Sequence, residues 1–182
     1  MNETNEQELI ARAKEEPEAF GELYQRYVRR IYNYHYRHTS NRADAEDLTS
    51  RTFYKALRNL NRYQDQKGAT FQSWLFRIAH NLVVNWYRDR SRHPEVSVNA
   101  LEPLSTERGN PQQAAEQSEQ QAWLLQILDT LPEDRKTLLM LKFVECMTNA
   151  EIGEVLGKTE GAVKALYYRT LSNLRDTVTV GE

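Results

Sequence analysis

Cysteine is nearly missing from this sequence. Cys146 is the only one among 182 residues, so an internal disulfide framework is excluded and the chain suits a reducing compartment such as the cytoplasm. Long apolar runs are missing too, and none approaches the roughly 20 residues that a membrane-spanning helix needs. The first residues, MNETNEQELI, are too polar and acidic for a signal or transit peptide. These features predict a cytoplasmic protein with no membrane insertion.

Glycine and proline are scarce, at seven and five residues. Most long stretches instead repeat apolar residues at helical spacing, and no alternating run is long enough to suggest a sheet. The fold class is therefore all-α. The breakers gather in one place, SRHPEVSVNALEPLSTERGNPQQ, which holds Pro94, Pro103, Pro111 and Gly109. That composition marks a flexible linker, over 93–112, between two small helical domains at 1–92 and 113–182.

Recognisable enzyme chemistry is also missing. The sequence has no glycine-rich phosphate loop, no G-x-S-x-G and no H-E-x-x-H. His35 and His38 have no carboxylate pair or cysteine cluster near them, so they read as surface residues rather than metal ligands. Cys146 lacks a basic neighbour or helix N-terminus that would activate its thiol. No catalytic residue, metal site or cofactor is expected. A positive surplus is lacking as well, since 24 Lys and Arg against 26 Asp and Glu give a net charge of −2. A protein that grips duplex DNA unaided usually carries such a surplus, because phosphate neutralisation dominates affinity. Either the chain binds no nucleic acid, or a partner supplies most of the backbone contacts.

What is present is helical patterning with signals at the helix ends. Helices are predicted from about Glu6 to Glu15, from Pro17 through the end of AFGELYQRYVRRIYNYHYRHT, and from an N-cap at Asn41 to about Leu60. Asp44, Glu46 and Asp47 lie where the dipole of that third helix favours acids. A fourth helix is predicted from Phe71 to about Arg90, another from about Gln113 to Thr130, and one after Pro132. Near the end, TNAEIGEVLGKTEGAVKALYYR holds two helix starts. Thr148 and Glu151 form a capping box, Gly157 fits a left-handed C-terminal position, and Thr159 caps the second helix. Two short helices around a glycine turn are the helix-turn-helix signature, and equally the signature of an ordinary helical hairpin. The second helix tips the balance toward DNA. Val163, Leu166, Tyr167, Thr170 and Leu174 form one side, while Gly161, Ala165, Tyr168 and Ser172, flanked by Lys164 and Arg169, form a small and basic opposite side.

The first domain offers two further faces. Ala45, Leu48, Thr52, Ala56 and Leu60 make an inner side, and Asp47, Arg51, Tyr54 and Arg58 an outer stripe with Leu57 beside it. Tyr and Arg of this kind are enriched at interface hot spots, although a solvated face can carry them too. In FQSWLFRIAHNLVVNWYRDR, Phe71, Trp74, Leu75, Ile78, Leu82 and Trp86 read as core. A neighbouring stripe of Arg77, Asn81 and Arg88, with Asn85 at its edge, has the groups that hold phosphates and bases, although a polar stripe on a surface helix is usually just solvated and the residues alone favour that. The loop residues Tyr63 and Gln64 could stack on or hydrogen-bond an unstacked base.

Four blocks, DAEDLTSRTFYKAL, FQSWLFRIAHNLVVNWYRDRSR, LPEDRKTLLMLKFVE and NAEIGEVLGKTEGAVKALYYRTLSNLR, together resemble bacterial RNA polymerase sigma factors of the extracytoplasmic-function (ECF) type. The resemblance implies a region 2 domain that binds core RNA polymerase through Asp47, Arg51, Tyr54 and Arg58. It implies that this domain reads the melted non-template minus-ten strand through Tyr63, Gln64, Arg77, Asn81, Asn85 and Arg88. It implies a region 4 domain that reads the duplex minus-thirty-five element through Lys158, Thr159, Gly161, Lys164, Ala165, Tyr168 and Arg169. Core polymerase, promoter DNA and an anti-sigma factor are the implied partners, and the nucleotide chemistry would belong to the polymerase. The sequence departs from the pattern where many relatives have Gln-Glu for Ser50 and Arg51, Gly for Cys146 and Arg for Leu166. An autonomous helix-turn-helix regulator and a mimic that sequesters an anti-sigma factor are the competing readings.

Overall fold

The computed structural model describes residues 3–65, 69–92 and 131–179. Among these residues it contains seven α-helices: α1 (Glu3–Glu15), α2 (Pro17–Thr39), α3 (Arg42–Asn59), α4 (Phe71–Arg92), α5 (Glu133–Leu139), α6 (Asn149–Leu156) and α7 (Glu160–Thr179). The linker and the helix expected over Gln113–Thr130 lie outside the described residues.

The ends of these helices are set by local chemistry. Pro17 opens α2, where a missing N–H costs nothing, and Ser40 closes it in a left-handed conformation. The Asn41 side chain accepts a hydrogen bond from the amide of Asp44, capping α3 as the sequence predicts. After α3 the chain tightens into a 3₁₀ turn, Leu60–Arg62. After α5 it widens instead. Met140–Val144 forms a π-helical turn, with the amide of Glu145 donating to the carbonyl of Met140 at 3.1 Å. This widening places Leu138, Met140 and Leu141 inward while Phe143 and Val144 stay exposed, at 61% and 54%.

The N-terminal helices close on an aromatic-rich core. Leu23, Ile31 and Tyr34 of α2, Ala45, Leu48 and Ala56 of α3, and Leu75, Phe76, Ala79 and Leu82 of α4 are all at most 1% exposed. Fully burying a Leu, Ile or Phe side chain contributes about 1.5–3 kcal/mol, so this shared face holds the bundle. Phe76, Ala79 and Val83 extend the buried side of α4 beyond the stripe that the sequence suggests. The expectation of surface histidines is overturned. His35 is fully buried, with Nε2 2.9 Å from Thr52 Oγ1, and His38 is 4% exposed, with Nδ1 2.9 Å from Glu133 Oε2. The lack of metal-ligand neighbours in sequence misled here, because the imidazoles complete an inner face of α2 with Tyr34 and Tyr27.

The apolar cluster continues without a break into the C-terminal helices, taking in Leu138, Leu141, Met147, Ile152, Val155 and Val163. Helix α6 lies along α4. Polar contacts join the two parts: Arg30 to Glu145, Gln72 to the Glu145 carbonyl, Thr70 to Glu151 and Arg77 to Glu154. The two expected domains therefore pack against each other.

Candidate nucleic-acid interface

The outer stripe of α3 is exposed as predicted. Asp47, Arg51 and Arg58 face outward, and Tyr54 is 61% and Leu57 48% exposed. Residues four apart on a helix are neighbours, and this stripe pairs accordingly. Arg51 reaches Asp47 at 3.4 Å, and the Arg58 guanidinium lies 5.7 Å from the Tyr54 ring centre. These exposed pairs are weak, because water screens them. Arg51, Tyr54, Lys55, Arg58, Asn59 and Arg62 together line an open groove of about 470 Å³. Lys55, Asn59 and Arg62 are additions to the residues expected from the sequence, although their spacing on the stripe is itself a legible signal.

A second groove, of about 200 Å³, lies at the start of α4 and is lined by Arg62, Tyr63, Gln64, Ala69, Ser73, Trp74, Arg77 and Glu154. Tyr63 corrects an expectation here. It is not an exposed loop aromatic but is 5% exposed, with its ring 5.5 Å from Phe71 and 5.1 Å from Trp74 between centroids. Burial and the carboxylates of Asp65 and Glu6 push its phenol well above the ordinary range. Lys14 Nζ donates to its carbonyl at 2.8 Å, which pins the loop to α1. In this arrangement Tyr63 forms the wall of the groove and does not offer a stacking face. Gln64, by contrast, is exposed.

Along α4, Arg77, Asn81 and Arg88 are exposed and Asn85 is half-buried. Arg88 donates to Asn85 Oδ1 at 3.0 Å. The stripe is thus continuous, but its first member is engaged, because Arg77 Nη1 stands 3.7 Å from Glu154 Oε2 of α6.

The helix-turn-helix is built as its sequence predicts. The Thr148 hydroxyl accepts from the Glu151 amide, and the Glu151 carboxylate accepts from the Thr148 amide, completing the capping box. Gly157 takes φ +63, and the Lys158 amide donates to the Gly153 carbonyl at 2.9 Å, which closes the turn. Thr159 Oγ1 accepts from the Ala162 amide and starts α7. Val163 and Thr170 are fully buried, with Leu166, Tyr167 and Leu174 half-buried beside them. The opposite face is open: Thr159, Gly161, Lys164, Ala165 and Arg169 are exposed, and Tyr168 is 71% exposed. Two of its cations have partners. Lys164 pairs with Glu160 at 2.9 Å, and Lys158 pairs with Asp134 of α5 at 3.3 Å. Arg169 Nε donates to its own helix, at the Ala165 carbonyl.

Among the described residues, no group of three or more His, Cys, Asp and Glu could hold a metal ion. None of the described helices is long and apolar enough to cross a membrane.

Known proteins share both parts. The family description Sigma-70 region 2 matches residues 23–93, and Sigma-70, region 4 matches residues 121–174. The ECF RNA polymerase sigma factor BldN of Streptomyces coelicolor is 35% identical over 168 residues, covering 92% of this chain and 63% of BldN. The ECF sigma factor SigE of Mycolicibacterium smegmatis is 34% identical, covering 87% of this chain and 61% of SigE. The chain thus spans a little over three-fifths of the length of these two relatives. ShbA of Streptomyces griseus, another ECF RNA polymerase sigma factor, is 33% identical over 71% of this chain and 69% of ShbA. In fold, CnrH, solved with the cytosolic domain of CnrY, superposes with a TM-score of 0.67 at 22% identity, covering 96% of this chain and 97% of CnrH. With its two regions matched in order and a third of its residues shared with relatives across most of its length, this chain belongs to the family of ECF RNA polymerase sigma factors.

Proposed function

We propose that this chain binds core RNA polymerase and directs it to particular promoters. The observation that carries the proposal is a pair of exposed faces on one chain: the aromatic and basic stripe of α3, and the small, basic face of α7 on a helix-turn-helix. In this reading Asp47, Arg51, Tyr54 and Arg58 meet the polymerase. Gln64, Arg77, Asn81, Asn85 and Arg88 read the melted minus-ten strand, and Tyr63 shapes their groove. Thr159, Gly161, Lys164, Ala165, Tyr168 and Arg169 enter the major groove of the minus-thirty-five element. Lys158 serves at its edge. The net charge of −2 fits a subunit whose partner supplies most of the nonspecific DNA contacts. We assign residues 1–92 and 113–182 to the two working units, 93–112 to the connection, and the cytoplasm to the whole. An anti-sigma protein is carried over from family membership, and no residue of this chain is assigned to it.

Run-off transcription from a pool of genomic fragments tests the proposal. The chain with core polymerase should yield discrete start sites that neither gives alone. Tight binding of one duplex site by the chain alone, with no gain from polymerase, would favour an autonomous regulator instead.

A further inference from the structure

The contacts that Glu145 and α6 make with Arg30 and the first residues around α4 run in one chemical sense. The N-terminal side donates and the C-terminal side accepts. Arg30 Nε and Nη2 approach Glu145 Oε2 at 2.7 and 2.6 Å. The Gln72 amide donates to the Glu145 carbonyl at 2.9 Å, and the Thr70 hydroxyl donates to Glu151 Oε1 at 2.7 Å. Arg77 faces Glu154. Arg30, Thr70, Gln72 and Arg77 therefore form a donor surface whose occupants are anionic or carbonyl oxygens. A single strand offers the same two features, anionic oxygens on its phosphates and carbonyl oxygens on its bases.

We infer that Arg30, Thr70 and Gln72 extend the single-strand DNA site around Arg77, and that the glutamates of the C-terminal unit occupy its phosphate positions in this arrangement. The inference rests on the promoter-reading function proposed above and adds residues and a competitor to it. Arg30 is held for the task independently of Glu145, since its guanidinium lies 5.1 Å from the Tyr27 ring centre and 5.9 Å from that of Phe76. A planar guanidinium fixed on aromatic faces suits a phosphate as well as a carboxylate. Glu145 sits there at a desolvation cost. Its side chain is only 6% exposed, and burial raises its carboxyl above the usual range despite the opposing pull of Arg30. The groove lined by Arg62, Gln64, Trp74 and Arg77 adjoins this surface through Arg77. A strand whose base enters that groove has Arg77 and the donors around it available for its neighbouring phosphates.

The test measures binding of a fluorescent oligodeoxythymidine 12-mer to the full chain over a range of salt concentrations. Glu145→Gln with Glu154→Gln keeps the side-chain shapes and removes both charges. This double variant is expected to bind about tenfold more tightly than the parent, because the competitor is weakened. Adding Arg30→Ala should reverse the gain and reduce the logarithmic salt slope by about 0.7, the share of one phosphate on a single strand. Adding Arg30→Lys instead should keep the slope. Should Arg30→Ala impair folding, Gln72→Glu in the same background gives the parallel answer, with a severalfold loss of affinity. The proposal is overturned if the double glutamine variant binds no more tightly, or if neither Arg30→Ala nor Gln72→Glu lowers its affinity. Run-off transcription with core polymerase separates this result from the fate of the sigma reading. Lost transcription with intact single-strand effects condemns the latter alone, and the converse condemns only the site.

Discussion

Gly153 and Lys158 approach so closely that a Cβ built on the glycine would lie 2.6 Å from the Lys158 carbonyl oxygen. Backbone cannot yield there without opening the turn, because the Lys158 amide is also bonded to the Gly153 carbonyl. Gly153→Ala should therefore destabilise the chain by about 1–3 kcal/mol, the usual range for forced overpacking. Gly161→Ala meets nothing within 4 Å and should be neutral or stabilising, by up to about 1 kcal/mol. Urea unfolding of the two variants side by side checks the contrast.

Cys146 holds φ 55, a left-handed conformation that L side chains adopt at a cost of about 1–2 kcal/mol. Its thiol is exposed, so little packing is lost on truncation. Cys146→Gly should raise stability by about 1 kcal/mol, less the entropy that glycine loses on folding. Cys146→Val, β-branched in the same backbone, should lower it. The relevant measurement is again the urea midpoint at constant slope.

Acid should unfold this protein earlier than its carboxylates alone would require. Burial, with a smaller contribution from His38, lowers the pKa of His35 to about 3. Burial first, and then His38, lowers that of His80 to about 4. Folded pKa values below the unfolded one mean that the unfolded chain binds more protons. The stability contributed by these neutral imidazoles is complete above about pH 6.5 and is lost as pH falls toward the folded values. Each histidine contributes a slope of up to about 1.4 kcal/mol per pH unit within that window. Glu133, held below the usual carboxylate range by His38 against the effect of burial, adds to the loss in acid, while the raised carboxyl of Glu145 opposes it. Unfolding free energies measured between pH 7 and pH 4.5 should fall steeply, and His80→Gln should flatten the curve.

Tyr54→Ala should weaken binding to core polymerase by about 1–2 kcal/mol, as truncation of an interface anchor does. Its 61% exposure means that chain stability should hardly change. A polymerase pull-down titration with a parallel melting curve separates the two effects. Equal affinity of variant and parent would remove Tyr54 from the interface.

On α7, Arg169→Ala should alter the preferred minus-thirty-five sequence and cost about 1–3 kcal/mol at one position. Lys158→Ala should leave the preference unchanged, since Lys158 is turned toward Asp134. Transcription from a library randomised across that element, with core polymerase in excess, reads both outcomes. An unchanged element and strength for Arg169→Ala would mean that another face is the reader.

Helix ends were legible because their signals are local. Asn41, Thr148, Glu151, Gly157 and Thr159 each act within four residues of where they stand, and each does so in the structure. The buried histidines were not legible, because their polar partners, Thr52 for His35 and Glu133 and Thr137 for His38, lie on other helices. Tyr63 failed for the same reason: a loop residue looks exposed until Phe71 and Trp74 close over it. The π-helical turn over Met140–Val144 had no signal, since it changes hydrogen-bond register within an ordinary apolar run. Gly153 looked like a helix interior residue and carried no mark of the Lys158 carbonyl beside it. Faces set by periodicity, such as the stripes of α3 and α7, came through. Contacts between distant segments, above all Arg30 with Glu145, did not.

The α3 stripe, the α7 reading face and Asn81 and Arg88 of α4 stand in solvent, while Arg30, Thr70 and Gln72 are engaged by the C-terminal unit. This asymmetry sets an order of events. A partner that touches only α3 meets no obstacle from the seam and binds the free chain with its full affinity. A strand that also uses Arg30, Thr70 and Gln72, as inferred above, meets them only in the fraction of molecules whose seam has parted, and that part of its affinity falls by that fraction. About 1.4 kcal/mol of net closure makes the difference tenfold. On the proposed roles, polymerase contact through α3 and duplex contact through α7 would be open at any stage, and the full set of strand contacts would be completed last, after the C-terminal unit has been drawn away.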